Sequence, residues 1–172
     1  MSSRVVIRPP GPKDEAEYVA AVRRSRKLHR PWVSPTATGK AFRTALLRWR
    51  SPSEMALFIF LRGTDSMVGV VTLSEIVRGH FQSAYLSYFA FEPHARHGLM
   101  REGLGLVITH AFGDLGLHRL EANIQPGNEA SRRLVRALGF RQEGYSPRYL
   151  KISGRWKDHE RWAILAEEWK SR

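Results

Sequence analysis

The order of apolar and polar positions in the first third of the chain predicts one strand and two helices. The run Val5-Val6-Ile7 predicts a short strand that ends at Pro9-Pro10. A helix is predicted to open at 11–15, where a proline and two acidic residues suit a first turn. After a proline-broken loop at 29–35, a basic helix is predicted from about Gly39 to Arg50.

The middle of the chain predicts an antiparallel meander. Strand-like apolar runs occupy 55–61, 68–76 and 84–91. Short turn segments, Gly63-Thr64-Asp65 and Arg78-Gly79-His80, separate these runs. Connections this short join antiparallel neighbours.

The remaining chain alternates helix and strand. A helix is predicted over about 98–115, a strand over 119–124, a helix over 128–138 that stops at Gly139, and two strands within 145–165. A meander that feeds a strand–helix–strand–helix unit predicts a mixed sheet with helices on its faces. We therefore expect a single domain, residues 1–172, of the α/β (α+β) class, with a site at an interrupted edge of the sheet.

Composition excludes several kinds of site. The 172 residues contain no cysteine, which excludes disulfides, a thiolate metal site and a cysteine nucleophile, and is in keeping with a cytoplasmic protein. No histidine or acidic cluster has metal-ligand spacing, so no metal is expected. Neither a signal peptide at the start nor an apolar run of about 18 residues is present, and no membrane contact is expected.

The charge leaves two interpretations open. The formal net charge is +12, with basic clusters at 23–27, 43–50 and 132–133. Such a field attracts phosphates, acidic proteins or nucleic acid. A solvated basic surface without a specific partner is the alternative.

A candidate anion site lies where the third meander strand meets the next helix. Helix starts carry unpaired N–H groups and a positive dipole end, and Gly98 allows close approach of a phosphate. Arg96 and Arg101 add positive charge. The segment matches neither a P-loop nor a dinucleotide fingerprint, and an ordinary turn with surface arginines is the competing interpretation.

A second polar pair opens the following helix. Asn128 and Ser131 lie three residues apart, directly after Pro126-Gly127. This spacing is common in local helix capping. The topology also places both side chains beside the junction between the third meander strand and its following helix. The two junctions together could hold a long ligand that contains phosphates and amides.

These segments together resemble the GNAT superfamily of N-acetyltransferases, and within it the RimJ/RimL branch, with RimJ the most similar group. The motifs that carry the resemblance run through most of the chain: Ala95-Arg96-His97-Gly98-Leu99-Met100-Arg101-Glu102-Gly103-Leu104, then Asn123 to Ser131, Leu138 to Tyr145, and Tyr149 to His159. The resemblance implies a mixed, mostly antiparallel central sheet with helices on both faces.

The resemblance also implies acetyl-CoA as cosubstrate, with its contacts assigned by position. Backbone groups of Phe89, Ala90 and Phe91 would pair with the pantetheine arm, Asn128 would hydrogen-bond that arm, and Ser131 would lie near the thioester sulfur. The pyrophosphate would lie in the loop of Arg96, His97, Gly98, Leu99, Met100 and Arg101. Ala95 and Met100 depart from the usual signature, so we expect more reliance on Arg96 and backbone amides.

Direct transfer is predicted, because neither a cysteine nor a Gly-x-Ser-x-Gly elbow is present for a covalent intermediate. Ser131 is the predicted donor to the departing thiolate. The general base is open: Glu75 and Tyr149 are the main candidates, followed by Asp158, each with a structural alternative. His159 is a candidate proton relay.

The function implied by the resemblance is acetylation of the N-terminal alanine of a ribosomal protein, with the basic surface available for contact with the ribosome or RNA. Two alternatives remain. The acceptor could be a small molecule or a lysine side chain, or the chain could be a non-enzymatic basic module that binds RNA or the ribosome. The oligomeric state is not predicted.

Overall fold

A computed structural model describes residues 3–170. Met1 and Ser2, part of the segment in which no signal peptide is predicted, lie outside this range. The strands are β1 (Val5–Arg8), β2 (Met55–Leu61), β3 (Met67–Val77), β4 (Ser83–Ala90), β5 (Arg119–Ile124), β6 (Arg141–Ile152) and β7 (Arg155–Leu165). The helices are α1 (Glu15–Arg24), α2 (Arg26–His29), α3 (Gly39–Arg48), α4 (Leu99–Gly113), α5 (Glu129–Ala137) and α6 (Ala166–Lys170), and a 3₁₀ turn at Pro12–Asp14 precedes α1.

The strands form one mixed sheet in the order β1-β2-β3-β4-β5-β7-β6. All neighbouring pairs are antiparallel except β4 and β5, which run parallel. The α4 segment forms the crossover between these two strands, as a parallel connection requires. The predicted fold class, a mostly antiparallel mixed sheet, is confirmed.

Helices cover both faces of the sheet, and each face has its own core. On one face α4 buries Leu104, Val107 and Ile108 against the sheet. On the other, α1 and α3 contribute Tyr18 and Phe42 to an aromatic core. The alternation of side chains along each strand therefore separates two environments, and β4 faces both.

Most predicted elements are present within a few residues of their expected bounds. The structure differs at α2 and α6, which were not predicted, and at β6, which begins at Arg141 rather than near Tyr145. Helices of four and five residues show no complete apolar period, so a periodicity argument does not detect them. Over residues 3–170, no helix is long and apolar enough to cross a membrane.

The contact of α4 with β2 gives a test of this packing. A Cβ added at Gly103 would lie 2.5 Å from Cδ1 of the fully buried Ile59, whereas at Gly105 the nearest neighbour is a Trp169 ring atom at 3.7 Å. Overpacking costs about 1–3 kcal/mol, and replacing a helical glycine by alanine gains about 1 kcal/mol. We expect Gly103→Ala to lower the free energy of unfolding and Gly105→Ala to raise it. Denaturant unfolding checks this, and equal gains for both variants would contradict the close packing.

Candidate functional site

The two parallel strands separate partway along their length. β4 pairs with β5 only from Ser83 opposite Arg119 to Tyr85 opposite Glu121. β4 nevertheless continues to Ala90 and β5 to Ile124. Beyond Tyr85 the two strands leave a slot between their facing backbone edges, which is the interruption predicted from the sequence.

The end of β4 presents one residue's backbone to this slot. The Phe91 N–H donates to the Val68 carbonyl of β3 at 2.8 Å, so the Ala90 carbonyl of the same trans peptide points away from β3. A Cβ added at Gly69 would lie 2.7 Å from the Phe89 carbonyl oxygen, so that oxygen faces β3 and the Ala90 N–H faces the slot. Of the residues predicted alongside Ala90, Phe89 directs its carbonyl to β3. Phe91 gives its N–H to β3 and its carbonyl to the His94 N–H.

His29 occupies the Ala90 carbonyl. Its Nε2–H donates to that oxygen at 2.8 Å, and its ring packs edge-on against Phe89. The side chain is only 4% exposed, and its Nδ1 has no recorded partner within residues 3–170. Burial lowers the pKa of His29, although the bond to Ala90 opposes this effect. The donor that remains at the end of β4 is therefore the Ala90 N–H.

The loop that precedes α4 offers a row of free amides. In the described part of the chain, no acceptor is recorded for the N–H groups of residues 95–100, while the Arg101 and Glu102 amides bond the Gly98 carbonyl. Arg96 and Gly98 are both left-handed, with φ of 67° and 79°. A left-handed conformation costs a residue with a side chain about 1–2 kcal/mol. The loop therefore holds a strained, tightly turned backbone whose donors suit an anion.

The charged side chains around this loop divide into paired and unpaired ones. Arg4 Nε donates to Glu102 Oε1 at 2.6 Å, and its Nη2 donates to the His97 carbonyl at 3.1 Å, so Arg4 anchors the loop to the start of β1. These bonds lower the pKa of Glu102. Arg96 and Arg101 are exposed, and no ion pair is recorded for either within the described range. They are the cations available to a ligand.

Met100 faces the sheet rather than the loop. Its Sδ would be 2.4 Å from a Cβ at Gly69, so the methionine packs over that glycine. Leu99 is buried in the same core. Of the predicted phosphate-loop residues, Leu99 and Met100 can therefore contribute only their amides.

Asn128 and Ser131 lie at the start of α5, on the β5 side of the slot. The Asn128 side-chain oxygen accepts from the Ser131 N–H at 3.2 Å, which is the capping contact, and the Asn128 side-chain NH₂ has no recorded acceptor within residues 3–170. The Ser131 Oγ lies 2.5 Å from the Tyr88 phenolic oxygen of β4. Sequence reasoning missed Tyr88, whose only signal was its place in an aromatic strand.

A cavity of about 630 Å³ lies on the opposite face of the sheet. Ser87 and Phe89 form part of its wall, so β4 separates it from Tyr88 and Ser131. The lining is rich in hydroxyl groups and aromatic rings, with few charges, and includes Ser34, Thr36, Thr38, Thr44, Thr72, Ser74, Tyr18, Phe42 and Trp49. Its charged residues are Lys40, Arg48 and Glu54.

None of the predicted candidate bases lines this cavity. Tyr149 hydrogen-bonds Tyr85, the strand neighbour of Ser87 on the same face, and that bond together with burial raises the pKa of Tyr85 to about 12. Glu75 is exposed in an irregular turn of β3, with φ of 49°, and does not line the cavity. Asp158 accepts from the Tyr145 hydroxyl at 2.5 Å, which is a structural contact.

Two carboxylates that were not predicted as bases lie on the cavity face of the sheet. Glu54 lines the cavity and is paired with Arg48 at 2.9 Å. Glu121 lies beside Tyr85 and is paired with Arg119 at 2.8 Å. Over residues 3–170, no group of three or more His, Asp or Glu is arranged to hold a metal ion.

A comparison with known families defines the class of protein. The pattern of the acetyltransferase (GNAT) domain matches residues 4–141. The chain belongs to this acetyltransferase family, as its sequence motifs predict.

Two proteins with similar sequences are named as N-acetyltransferases. A probable N-acetyltransferase of Bacillus subtilis, YjcK, is 39% identical over 118 residues, which cover 69% of this chain and 65% of that protein. The [ribosomal protein uS5]-alanine N-acetyltransferase of Escherichia coli is 38% identical over 103 residues, covering 60% of this chain and 53% of that protein. The chain thus spans between half and two thirds of the length of these relatives.

Among solved structures, Mycobacterium smegmatis RimJ in complex with CoA-disulfide has a TM-score of 0.88. It is 28% identical, and the match covers 95% of this chain and 83% of that one. The similarity extends over almost the whole fold.

The buried His29 predicts a pH dependence of stability. Its folded pKa lies below the value of about 6.5 for the unfolded chain, so the unfolded state binds the proton first as the pH falls. The stabilisation that neutral His29 gives the folded state is complete above about pH 6.5 and is lost as the pH falls toward the folded pKa of His29. We expect His29→Gln, which keeps a donor for Ala90, to flatten this part of the profile.

Chemical denaturation between pH 8 and pH 5 measures the effect. His80→Gln, at an exposed turn position, is the matched control and should keep the wild-type slope. A wild-type slope in His29→Gln would show that another group causes the pH dependence.

Proposed function

We propose that the chain transfers the acetyl group of acetyl-CoA to the N-terminal α-amine of a protein, with the N-terminal alanine of a ribosomal protein as the acceptor. The observation that carries the proposal is the slot between β4 and β5, bordered by free amides at one helix start and by Ser131 at the other. The identity to the uS5-alanine acetyltransferase and the likeness to RimJ support the acceptor class.

The residues around the slot fit coenzyme A. The amides of residues 95–100, with Arg96 and Arg101, would hold the pyrophosphate, where helix-dipole and charge contributions add. The Ala90 N–H and the Asn128 side-chain amide would bond the polar groups of the pantetheine arm. Ser131 would then face the thioester sulfur.

The charges on the cavity face of the sheet, where the acceptor would bind, favour a peptide over a polyamine. The cavity has Lys40 and Arg48 against the single carboxylate of Glu54, which is already paired. A polycation would meet like charges there, in a chain that carries +12 overall. An extended peptide would instead find hydroxyl groups for its backbone.

The cost of deprotonating the acceptor also favours an N-terminal α-amine. Near pH 7, deprotonation costs about 1 kcal/mol for an α-amine of pKa about 7.7–8.0 and about 4–5 kcal/mol for a lysine. Glu54 and Glu121 are both engaged by arginines. A site with no free carboxylate in its described cavity suits the acceptor that needs the weaker base. In this proposal Tyr149 and Glu75 remain candidate bases, acting through water.

The ribosome is the proposed setting for this partner. The end of the β6–β7 hairpin carries exposed Arg148, Lys151, Arg155 and Lys157, for which no ion pair is recorded within residues 3–170. Trp156 beside them is 60% exposed. Exposed cations next to an exposed aromatic ring suit ribosomal RNA or an acidic surface.

An acceptor panel tests the proposal. We expect turnover with acetyl-CoA on peptides that begin with alanine, and little or none on spermidine, free lysine or the same peptides with a blocked N-terminus. Thiol release and mass spectrometry of the product measure it. Turnover confined to small amines would overturn the acceptor assignment, and a failure to bind acetyl-CoA at low salt would favour a non-enzymatic basic module.

The phosphate loop gives a second test. We expect Arg96→Ala to raise the KM for acetyl-CoA about three- to tenfold at low salt with little change in kcat, because an exposed charge-assisted contact contributes about 1 kcal/mol. Arg50→Ala removes the same charge from an exposed position near the start of β2 and is the control. Equal effects of both variants would indicate a general field rather than a local contact.

A further inference from the structure

The hydroxyl pair formed by Tyr88 and Ser131 spans the slot. Tyr88 extends from β4 and Ser131 from the first turn of α5, and their oxygens lie 2.5 Å apart. Both side chains are only partly buried, so the pair lies along the open slot and not inside the core. The Tyr88 ring packs against the core on the α4 side of the sheet.

The donor in this pair follows from the hydrogen-bonding capacity of the two groups. Within residues 3–170, the one acceptor recorded for Tyr88 apart from the Ser131 side chain is the Ser131 carbonyl at 3.5 Å, beyond a normal O–H···O distance. A partly buried phenol left without an acceptor is unfavourable, and a phenol is a stronger donor than an aliphatic alcohol. Tyr88 therefore donates to the Ser131 Oγ, and the Ser131 hydrogen is left to point into the slot.

We propose that Tyr88 is a positioning residue that fixes the Ser131 hydroxyl as a hydrogen-bond donor to the sulfur released in acetyl transfer. This inference rests on the proposed function. It assigns to Tyr88 a role through Ser131, with no contact of its own to the acetyl group.

The step balances without an additional reactant. The acceptor amine, having lost one proton to solvent, forms the N–C bond with its lone pair. The C–S bond breaks, and its electron pair leaves on sulfur as a thiolate. The second proton of the amine also goes to solvent. The Ser131 O–H donates a hydrogen bond to the thiolate sulfur until solvent protonates that sulfur.

The Tyr88–Ser131 pair donates a hydrogen bond to the thiolate and does not transfer a proton to it. Burial raises the pKa of Tyr88 to about 12, whereas an alkyl thiol has a pKa of about 8.5. Transfer of a proton from the pair to the thiolate would therefore be unfavourable by about three orders of magnitude in the equilibrium constant. A hydrogen bond to the thiolate stabilises it with no such cost, and the phenol strengthens that bond by polarising the serine hydroxyl.

A double-mutant cycle tests this role. We expect Tyr88→Phe to lower kcat about tenfold with the KM for acetyl-CoA changed less than twofold, and Ser131→Ala to lower kcat further. The double variant should be no slower than Ser131→Ala, because Tyr88 acts through that hydroxyl. Tyr145→Phe, which removes a phenol bonded to Asp158, is the control and should keep the wild-type kcat.

A second readout does not depend on the acceptor. The pKa of the thiol of bound coenzyme A, followed by thiolate absorbance, should be lower than that of free coenzyme A and should rise in Tyr88→Phe. A thiol pKa unchanged by Tyr88→Phe, or additive losses of kcat in the cycle, would overturn the role of Tyr88 while leaving the acetyltransferase proposal intact. A wild-type chain that binds coenzyme A and shifts its thiol pKa but acetylates no N-terminal peptide would overturn only the acceptor.

Discussion

Strands β4 and β5 share hydrogen bonds only as far as Tyr85 and Glu121, and each must satisfy its remaining backbone groups by other means. On the β4 side, His29 takes the Ala90 carbonyl. Two features of the candidate site depend on this separation. It exposes the Ala90 N–H, and it lets Tyr88 of β4 reach Ser131 at the start of α5. A continuous β4–β5 ladder would engage the Ala90 N–H in a hydrogen bond between strands.

The ends of the two separated strands are both contacted by the α2 segment and the loop that follows it. On one face His29 packs on Phe89 and Phe91, so the aromatic core that binds α1 and α3 also supports the end of β4. The loop after α2 crosses to the other strand, where the Trp32 carbonyl accepts from the Gln125 side chain at 3.1 Å. The elements nearest the acceptor cavity are therefore the same ones that keep the slot open. Substitutions in this aromatic core are expected to act on cofactor affinity as well as on stability.

The sequence predicts the fold better than it predicts the site, for a physical reason. Apolar periodicity identified the meander and α4, because those elements bury whole faces such as Leu104, Val107 and Ile108. The loop before α4 and Ser131 were predicted as site residues from the local chemical signals of helix starts, and their roles stay predictions. Ala90 was predicted together with Phe89 and Phe91, but which of the three faces the slot depends on the strand edge that each peptide faces. The contacts of Tyr88 and His29 join residues about 40 to 60 positions apart. No local pattern records those relationships. Glu54 was missed for the same reason, because only the tertiary fold places it in the cavity wall.

The positive charge of the chain, together with the pairing of Glu54 and Glu121 by arginines, affects the protonation of an amine bound on the cavity face of the sheet. An amine attacks only when it is neutral, and nearby positive charge disfavours its protonated form. The same field stabilises the thiolate that leaves. In the proposed reaction, Lys40 in the cavity wall and Arg96 and Arg101 at the loop would favour both ends of the transfer, whereas Arg48 is already paired with Glu54. An unpaired carboxylate beside the amine would instead hold it as an ammonium ion. Because the effect of such charges is modest in a solvent-accessible site, it would suffice for an α-amine within about one pKa unit of neutrality and would fall short for a lysine. The proposed choice between the two amines would then rest on the cationic character of the cleft as much as on any single base.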